Sequence, residues 1–331
     1  MYIHQRTDWP EFTWRTDFFA TLLGDTRHQQ GLWVSEMLSL NVELRDEANL
    51  NTLTSEIVQS SRIEGEYLNS EEVRSSVARR LGLETAEILL PSREIDGIVE
   101  MLLDATQNYE DILTHERLFA WHSALFPIGR SGSRPITVGA YRKDENGPMQ
   151  LVSGGMGEEK VHFEAPNAPK ILTEMNRFLF WFNAPTTIDP IIKAAIAHFW
   201  FITIHPMDDG NGRMARAIAE IQLSRTDRTN QRFYSMSTEI ELHKKEYYDI
   251  LERTQSGDLD ITEWITWFFD YLHRAILTAP VRLARVYEKA HFWQAHRNTP
   301  MNTRQRKIVL RLQDDFFGKL STGKYAKMFK C

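Results

Sequence analysis

The chain has 331 residues, 42% of them apolar and 25% charged, with nine Trp and eighteen Phe; these are globular values and leave room for two or three small domains around at least one sizeable core. No apolar run reaches the roughly 18 residues that a membrane span needs, the N-terminus carries no signal-type apolar stretch, and the single cysteine, Cys331, excludes an intramolecular disulfide framework or a Cys-rich metal site. The cytoplasm is the compartment these features lead one to expect. Net charge is −6 but uneven: residues 301–331 hold eight Lys/Arg against two Asp/Glu, a local +6 that leaves −12 on the remaining 300. A basic tail on an acidic body suits either a nucleic-acid contact or a solvated surface.

The periodicity predicts a mainly helical, all-α protein. Residues 15–48 read as helix with a break near Gly24–Asp25, and 51–66 and 70–82 as two more, the second opened by Ser70 with Glu71 and Glu72 in its first turn. Helices over 93–107 and 114–126 follow, with Thr114 as the cap of the latter. The period then changes. Residues 134–152 alternate, carry β-branched side chains and contain Asn146–Gly147, a hairpin turn signal, and 160–164 reads as a further short strand. Helices resume over 168–183 and 189–204, the latter opened by Asp189 and a first-turn Pro190. Another runs from about Asn211 to Ser224, and 239–256 and 260–277 complete a bundle. Residues 281–297 read as a connecting helix, and 302–316 and 321–329 as the start of a small separate unit.

The chemistry concentrates in 204-IHPMDDGNGRMARA-217, directly after a long apolar run. Gly210, Asn211 and Gly212 stand at a helix start, where glycines allow a tight turn and a close backbone approach. The helix end offers unpaired N–H groups and a positive dipole end, an anion site suited to phosphate. Arg213 and Arg216 are three apart and share a helix face there, each able to fork onto phosphate oxygens. Asp208 or Asp209 can bring Mg²⁺, which bridges carboxylate and phosphate oxygens. His205 titrates near neutrality and suits a general base for a hydroxyl nucleophile. Taken singly, a His-Pro turn, a Gly-Asn-Gly loop or a pair of arginines is ordinary surface; the joint occurrence in this order is what points to chemistry.

The loop resembles the motif of the Fic family, His-Pro-Phe-x-(Asp/Glu)-Gly-Asn-Gly-Arg-x-x-Arg, read here as His205, Pro206, Met207, Asp208, Asp209, Gly210, Asn211, Gly212, Arg213 and Arg216. The departure is Met207 in place of Phe, a flexible apolar substitute that implies a loop held less tightly without loss of activity. The resemblance covers much of the chain. It implies a Fic-type helical bundle with a small β-hairpin flap (136–152 with 160–166), an N-terminal helical domain over 1–95, a catalytic domain over 96–280, and a linker helix with a partial winged helix over 281–331. A second short motif, (Ser/Thr)-x-x-x-Glu-(Gly/Asn), is similar to Ser60, Glu64 and Gly65. By resemblance it lies on an inhibitory helix at about 51–66, with Glu64 pairing with Arg216 and keeping it from the γ-phosphate. Tyr248 and Gln255 fall where the family places a stacking aromatic and a polar contact to adenine; core aromatics are the other reading of that region.

The resemblance therefore implies a protein adenylyltransferase using ATP and Mg²⁺. Arg216 would hold the γ-phosphate, Arg213 the β-phosphate, Asn211 the α-phosphate and Asp209 the metal, with Asp208 a spectator. His205 would take the proton of a Ser, Thr or Tyr hydroxyl on a target protein docked on the 136–166 flap, or on the chain itself. A homodimer is expected. Other family reactions stay open: AMP removal with Glu64 activating water, or transfer from another nucleotide. A different class also stays open, a DNA-binding regulator acting through the C-terminal module.

Overall fold

The computed structural model describes residues 1–83, 90–145, 147–153, 160–296 and 299–302, together with 304, 305, 308, 309 and 312. Among these residues the protein is mostly helical: α1 (Ala20–Ser39), α2 (Val42–Ile63), α3 (Ser70–Arg80), α4 (Arg93–Gln107), α5 (His115–Leu125), α6 (Ala168–Asn183), α7 (Pro190–Ile204), α8 (Asn211–Asp227), α9 (Met236–Leu242), α10 (Lys244–Gln255), α11 (Thr262–Arg282) and α12 (Ala284–Ala295). Between α5 and α6 lie two small antiparallel pairs, β1 (Arg130–Ser131) with β2 (Arg134–Pro135), and β3 (Gln150–Ser153) with β4 (Lys160–Glu164). The tail expected as the start of a winged helix falls largely outside the described residues, and 321–329 entirely so.

The bundle is organised around α7. Every residue from Ile191 to Ile204 on it is buried, as a helix apolar on all sides must be. Asp189 caps it, accepting from the Ile191 N–H at 2.8 Å, and Pro190 follows in the first turn, where no N–H is missed. α8 packs along α7 after the motif loop, α4 and α5 pack on α8, and α11 packs on α7. Trp264 of α11 donates from its indole to the Ala195 carbonyl at 2.8 Å, fixing the two helices in depth. α2 packs along α9, α3 and α12 and ends beside the start of α8. That placement carries the α2 C-terminus to the motif loop.

Several sequence expectations are corrected here. The break expected near Gly24–Asp25 is absent, and α1 runs through both residues; Gly24 faces open space, so nothing forces a kink there. The break lies instead at Leu40–Asn41, where the Asn41 side chain caps α2 by accepting from the Leu44 N–H at 2.9 Å. Likewise α3 is capped by Asn69, which accepts from the N–H groups of Glu71 and Glu72, with Ser70 already in the first turn. The helix expected over 239–256 is split at His243.

The largest correction concerns the expected hairpin over 134–152. Residues 136–149 form no strand among those described, and β3 pairs with β4. The backbone donors of this stretch go to the motif loop: Thr137 N–H donates to Asp208 Oδ2 at 2.7 Å and Arg142 N–H to the Pro206 carbonyl at 3.0 Å, while Gly139 N–H donates to His122 Nδ1 at 3.2 Å. A strap laced to a loop cannot also serve a ladder. β-Propensity was real in the sequence, and tertiary hydrogen bonds overrode it.

Candidate functional site

The loop from α7 to α8 is shaped at both ends by left-handed backbone. His205 closes α7 at φ +50°, ψ +59°, and Gly210 opens α8 at φ +77°. At Gly210 a Cβ would also meet Phe126 at 2.9 Å and Leu125 at 3.2 Å, so glycine is required there by space as well as by torsion. Asn211 turns its side chain back into the loop, accepting from Met207 N–H and donating to the Met207 carbonyl, both at 2.9 Å. Met207 itself is fully buried. The backbone at this position is clipped on both sides by Asn211, and the side chain is enclosed. The Asn211 amide is committed to that clip, so what it offers toward a phosphate is its main chain at the helix start.

His205 is half-buried, and its Nδ1 lies 3.3 Å from the Ile202 carbonyl. A carbonyl can only accept, so Nδ1 carries the proton and Nε2 holds the free lone pair. Burial pushes this imidazole down to about 4, against the raising effect of the Ile202 carbonyl; Arg142 lowers it further, and Glu64 and Asp209 raise it. His205 is thus neutral, with a basic nitrogen available, throughout the physiological range. Asp209 is held by Ser131, whose hydroxyl donates to Oδ2, and by the Gly210 N–H at 2.6 Å from Oδ1. Asp208, expected as a spectator, accepts the Thr137 N–H on its side chain and Arg134 Nη2 on its carbonyl at 3.1 Å. It fastens the strap.

Both arginines of the motif are buried, and both are held by acids from the end of α2. Arg216, with its side chain 4% exposed, donates through Nη2 to Glu64 Oε1 at 2.8 Å and through Nε to Ser60 Oγ at 2.8 Å. Burial opposes its charge, but Glu64 together with Tyr247 and Tyr248 offsets this and holds the guanidinium above its usual value. Arg213, 3% exposed, donates through Nη1 to Glu66 Oε2 at 2.6 Å. Glu66 is pushed up by burial and down by Arg213, with Asp209, Glu64 and Glu94 adding to the rise. Arg216 Nη1 and Arg213 Nε are buried without a hydrogen-bond partner. Unsatisfied guanidinium donors at a helix start are free capacity for an anion.

Gly65 makes the double grip possible. α2 ends at Ile63, and Gly65 follows at φ +85°, in open space. That turn returns the chain so that Glu64 and Glu66, on either side of it, both reach α8. A Cβ on Gly212 would stand 2.1 Å from Glu64 Oε1, so the carboxylate rests directly on the glycine of the helix start. Glu66 was missed in the sequence reading; its signal was an acid directly after the helix-ending glycine. Tyr248 also comes here, its hydroxyl donating to the Ile63 carbonyl at 3.2 Å and lying 3.5 Å from Glu64 Oε2. Gln255 does not join this cluster: it is buried and donates to Thr203 Oγ1 at 3.2 Å. The assembled residues are His205, Asp209, the Gly210–Gly212 turn, Arg213 and Arg216, with Ser60, Glu64, Glu66 and Tyr248 laid over them. Among the described residues no cluster of three or more metal-ligating side chains occurs. No helix among them is long and apolar enough to cross a membrane.

Two stretches of the chain match known families. Residues 112–223 match the Fic/DOC family, and residues 2–83 match a domain of unknown function (DUF4172). The chain is similar to a Culex quinquefasciatus protein named "Protein adenylyltransferase Fic", 27% identical over 215 residues that make up 61% of this chain and 37% of that protein. It is also similar to "Protein adenylyltransferase fic-1" of Caenorhabditis elegans, 34% identical over 97 residues, 28% of this chain and 18% of that one. The chain thus spans well under half the length of these curated relatives. Among solved structures, a Fic family protein from Desulfovibrio desulfuricans G20 superposes with a TM-score of 0.60 at 22% identity, covering 97% of this chain and 86% of that one. A Fic-domain signalling protein from Bacteroides thetaiotaomicron gives 0.58 at 20% identity, covering 80% and 97%. These likenesses establish a Fic-type fold.

Proposed function

With residues 112–223 the chain belongs to the Fic/DOC family, and from that premise we propose that it is a protein adenylyltransferase, restrained by the two acids at the end of α2. The observation that carries the proposal is the pairing of a neutral His205, its Nε2 lone pair free, with two buried arginines that hold unsatisfied donors at a glycine-rich helix start. The names of the curated relatives support the same activity.

ATP would lay its phosphates on the Gly210–Arg216 helix start, with main-chain N–H groups on the α-phosphate, Arg213 on the β- and Arg216 on the γ-phosphate. Mg²⁺ fits the residues present: Asp209 offers one fixed carboxylate beside the phosphate cradle, and this ion keeps most of its waters and binds through one or two carboxylates plus phosphate oxygens. Bound there, it would neutralise phosphate charge. His205 Nε2 accepts the proton of a Ser, Thr or Tyr hydroxyl on a target docked along the 136–166 flap, or on the chain itself. The hydroxyl oxygen attacks the α-phosphorus in line and pyrophosphate leaves, AMP remaining on the target. Positioning and charge stabilisation supply most of the rate, and the base about 10²–10⁴. Glu64 and Glu66 compete with the phosphates for the arginines, so the protein as folded is in its restrained state. Homodimerisation and action in the cytoplasm belong to the same proposal.

A second reading, AMP removal, is favoured by one observation: the Glu64 carboxylate rests on Gly212, where it could activate water. The test is transfer of label from ATP labelled at the α-phosphate to protein. Weak label on wild type, strong label on Glu64→Gly and none on Glu64→Gly/His205→Ala is expected. No label on any of the three, with lysate supplied as target, would sink the proposal, and release of AMP from a modified protein would then favour the second reading.

A further inference from the structure

We propose that Arg142 is a positioning residue for His205, holding the base at its angle of attack; this rests on the reading of His205 given above. Arg142 is buried, and its donors reach four acceptors on three segments. Nε donates to the His205 carbonyl at 2.8 Å, and the main-chain N–H donates to the Pro206 carbonyl at 3.0 Å. Nη2 donates to the Pro166 carbonyl at the exit of β4, and Nη1 to the Asp144 carboxylate. Asp144 Oδ2 in turn accepts the Ala168 N–H at the start of α6, at 2.7 Å. One guanidinium thus joins the motif loop, the strap and the exit of the β3–β4 pair.

His205 depends on such a hold. It is a non-glycine residue in the left-handed region, a conformation that persists only where the surroundings over-determine it. The ring's side-chain hydrogen bond is the long 3.3 Å approach of Nδ1 to the Ile202 carbonyl, so its aim follows the backbone. That backbone is fixed from the α7 side by the His205 N–H to the Phe201 carbonyl at 3.0 Å, and from the other side by Arg142. Arg142 has no hydrogen bond to the Gly210–Arg216 helix start. Its loss should therefore misalign the base and leave the nucleotide cradle intact. Misplacement on the scale of 1 Å costs about 10²-fold in rate.

Arg142→Met removes every side-chain bond, and Arg142→Lys keeps the charge but reaches fewer acceptors. Both are made in the full chain carrying Glu64→Gly, with circular dichroism to establish folding. The first readout is label transfer at varied ATP. The expected result is a kcat about 10²-fold lower for Arg142→Met, KM for ATP within twofold, and partial recovery with Lys. The second readout needs no turnover: the His205 imidazole followed by NMR in histidine-labelled protein through a pH titration. The charge of Arg142 lowers its titration, and those of Glu64 and Asp209 raise it. A displaced ring gives a changed shift in both variants, and loss of the Arg142 charge raises the titration midpoint in Met but not in Lys. An unchanged His205 resonance in folded Arg142→Met overturns the inference, as does a rate loss carried by KM alone. If the Glu64→Gly reference transfers no label, the adenylyltransferase reading fails and the NMR readout still decides the positioning role. Should Arg142→Met not fold, Arg142→Lys carries both readouts.

Discussion

Replacing Glu66 with Gln separates the second acid from the first. Glu66 Oε2 sits 2.6 Å from Arg213 Nη1, with the arginine side chain 3% exposed and the glutamate 42% exposed. A fully exposed pair is worth about 0–1 kcal/mol and breaking a fully buried one costs about 3–5 kcal/mol. A pair with one buried partner and one largely wet falls between, at about 1–2 kcal/mol. If ATP must displace Glu66 to reach Arg213, losing the carboxylate should tighten ATP binding by about 5- to 30-fold, since about 1.4 kcal/mol is tenfold. Glu64→Gly should tighten it more. The Glu64 side chain is 29% exposed against an Arg216 at 4%, and its carboxylate also fills the space over Gly212. The assay is calorimetric titration of Mg-ATP into wild type, Glu66→Gln, Glu64→Gly and the double variant, all carrying His205→Ala to prevent turnover. Equal affinities for wild type and Glu66→Gln, alongside tighter binding by Glu64→Gly, would refute competition at Arg213 and reduce Glu66 to a bystander.

Two further outcomes test the physical reading. Burial holds His198 down to about 3 and His205 to about 4, so both imidazoles should stay neutral as pH falls through 6.5 and begin to charge only below about 5; a midpoint near 6.5 for His205 by NMR would show that the ring is solvated. Gly97 of α4 faces α5 so closely that a Cβ would meet the Ala124 carbonyl oxygen at 1.7 Å, and Gly97→Ala should lower unfolding free energy by about 1–3 kcal/mol or more in urea melts, whereas an unchanged midpoint would mean that the two helices separate freely.

The helical frame was legible because its signals are local. Ser92, Thr114 and Asp189 each cap a helix close to where the pattern begins, and apolar spacing marks their lengths. The motif loop was legible because its residues lie within twelve positions and require one another chemically. What escaped depended on partners distant in sequence. Arg142 lies within an alternating stretch and is charged where a strand would be expected to continue; nothing nearby announces that its acceptors are 24 and 63 residues away. Glu66 is one more acid on a polar turn until Gly65, at φ +85°, is known to fold it back beside Glu64. Gln255, a polar contact to adenine by resemblance, donates to Thr203, which lies 52 residues away in sequence. The break between α1 and α2 falls at the Asn41 cap and not at Gly24, since a lone glycine weakens a helix without ending it.

The single turn at Gly65 has a consequence for how restraint could be lifted. Glu64 and Glu66 sit on either side of it, at the end of a 22-residue rod, α2, about 33 Å long at roughly 1.5 Å per residue. Two prongs on one stem cannot be withdrawn separately by moving the stem. Mutation can silence either acid alone, but a displacement of α2 frees both guanidinium groups together or neither. Under the proposed restraint, release by movement of α2 would then be of the on-or-off kind, with no half-liberated cradle between.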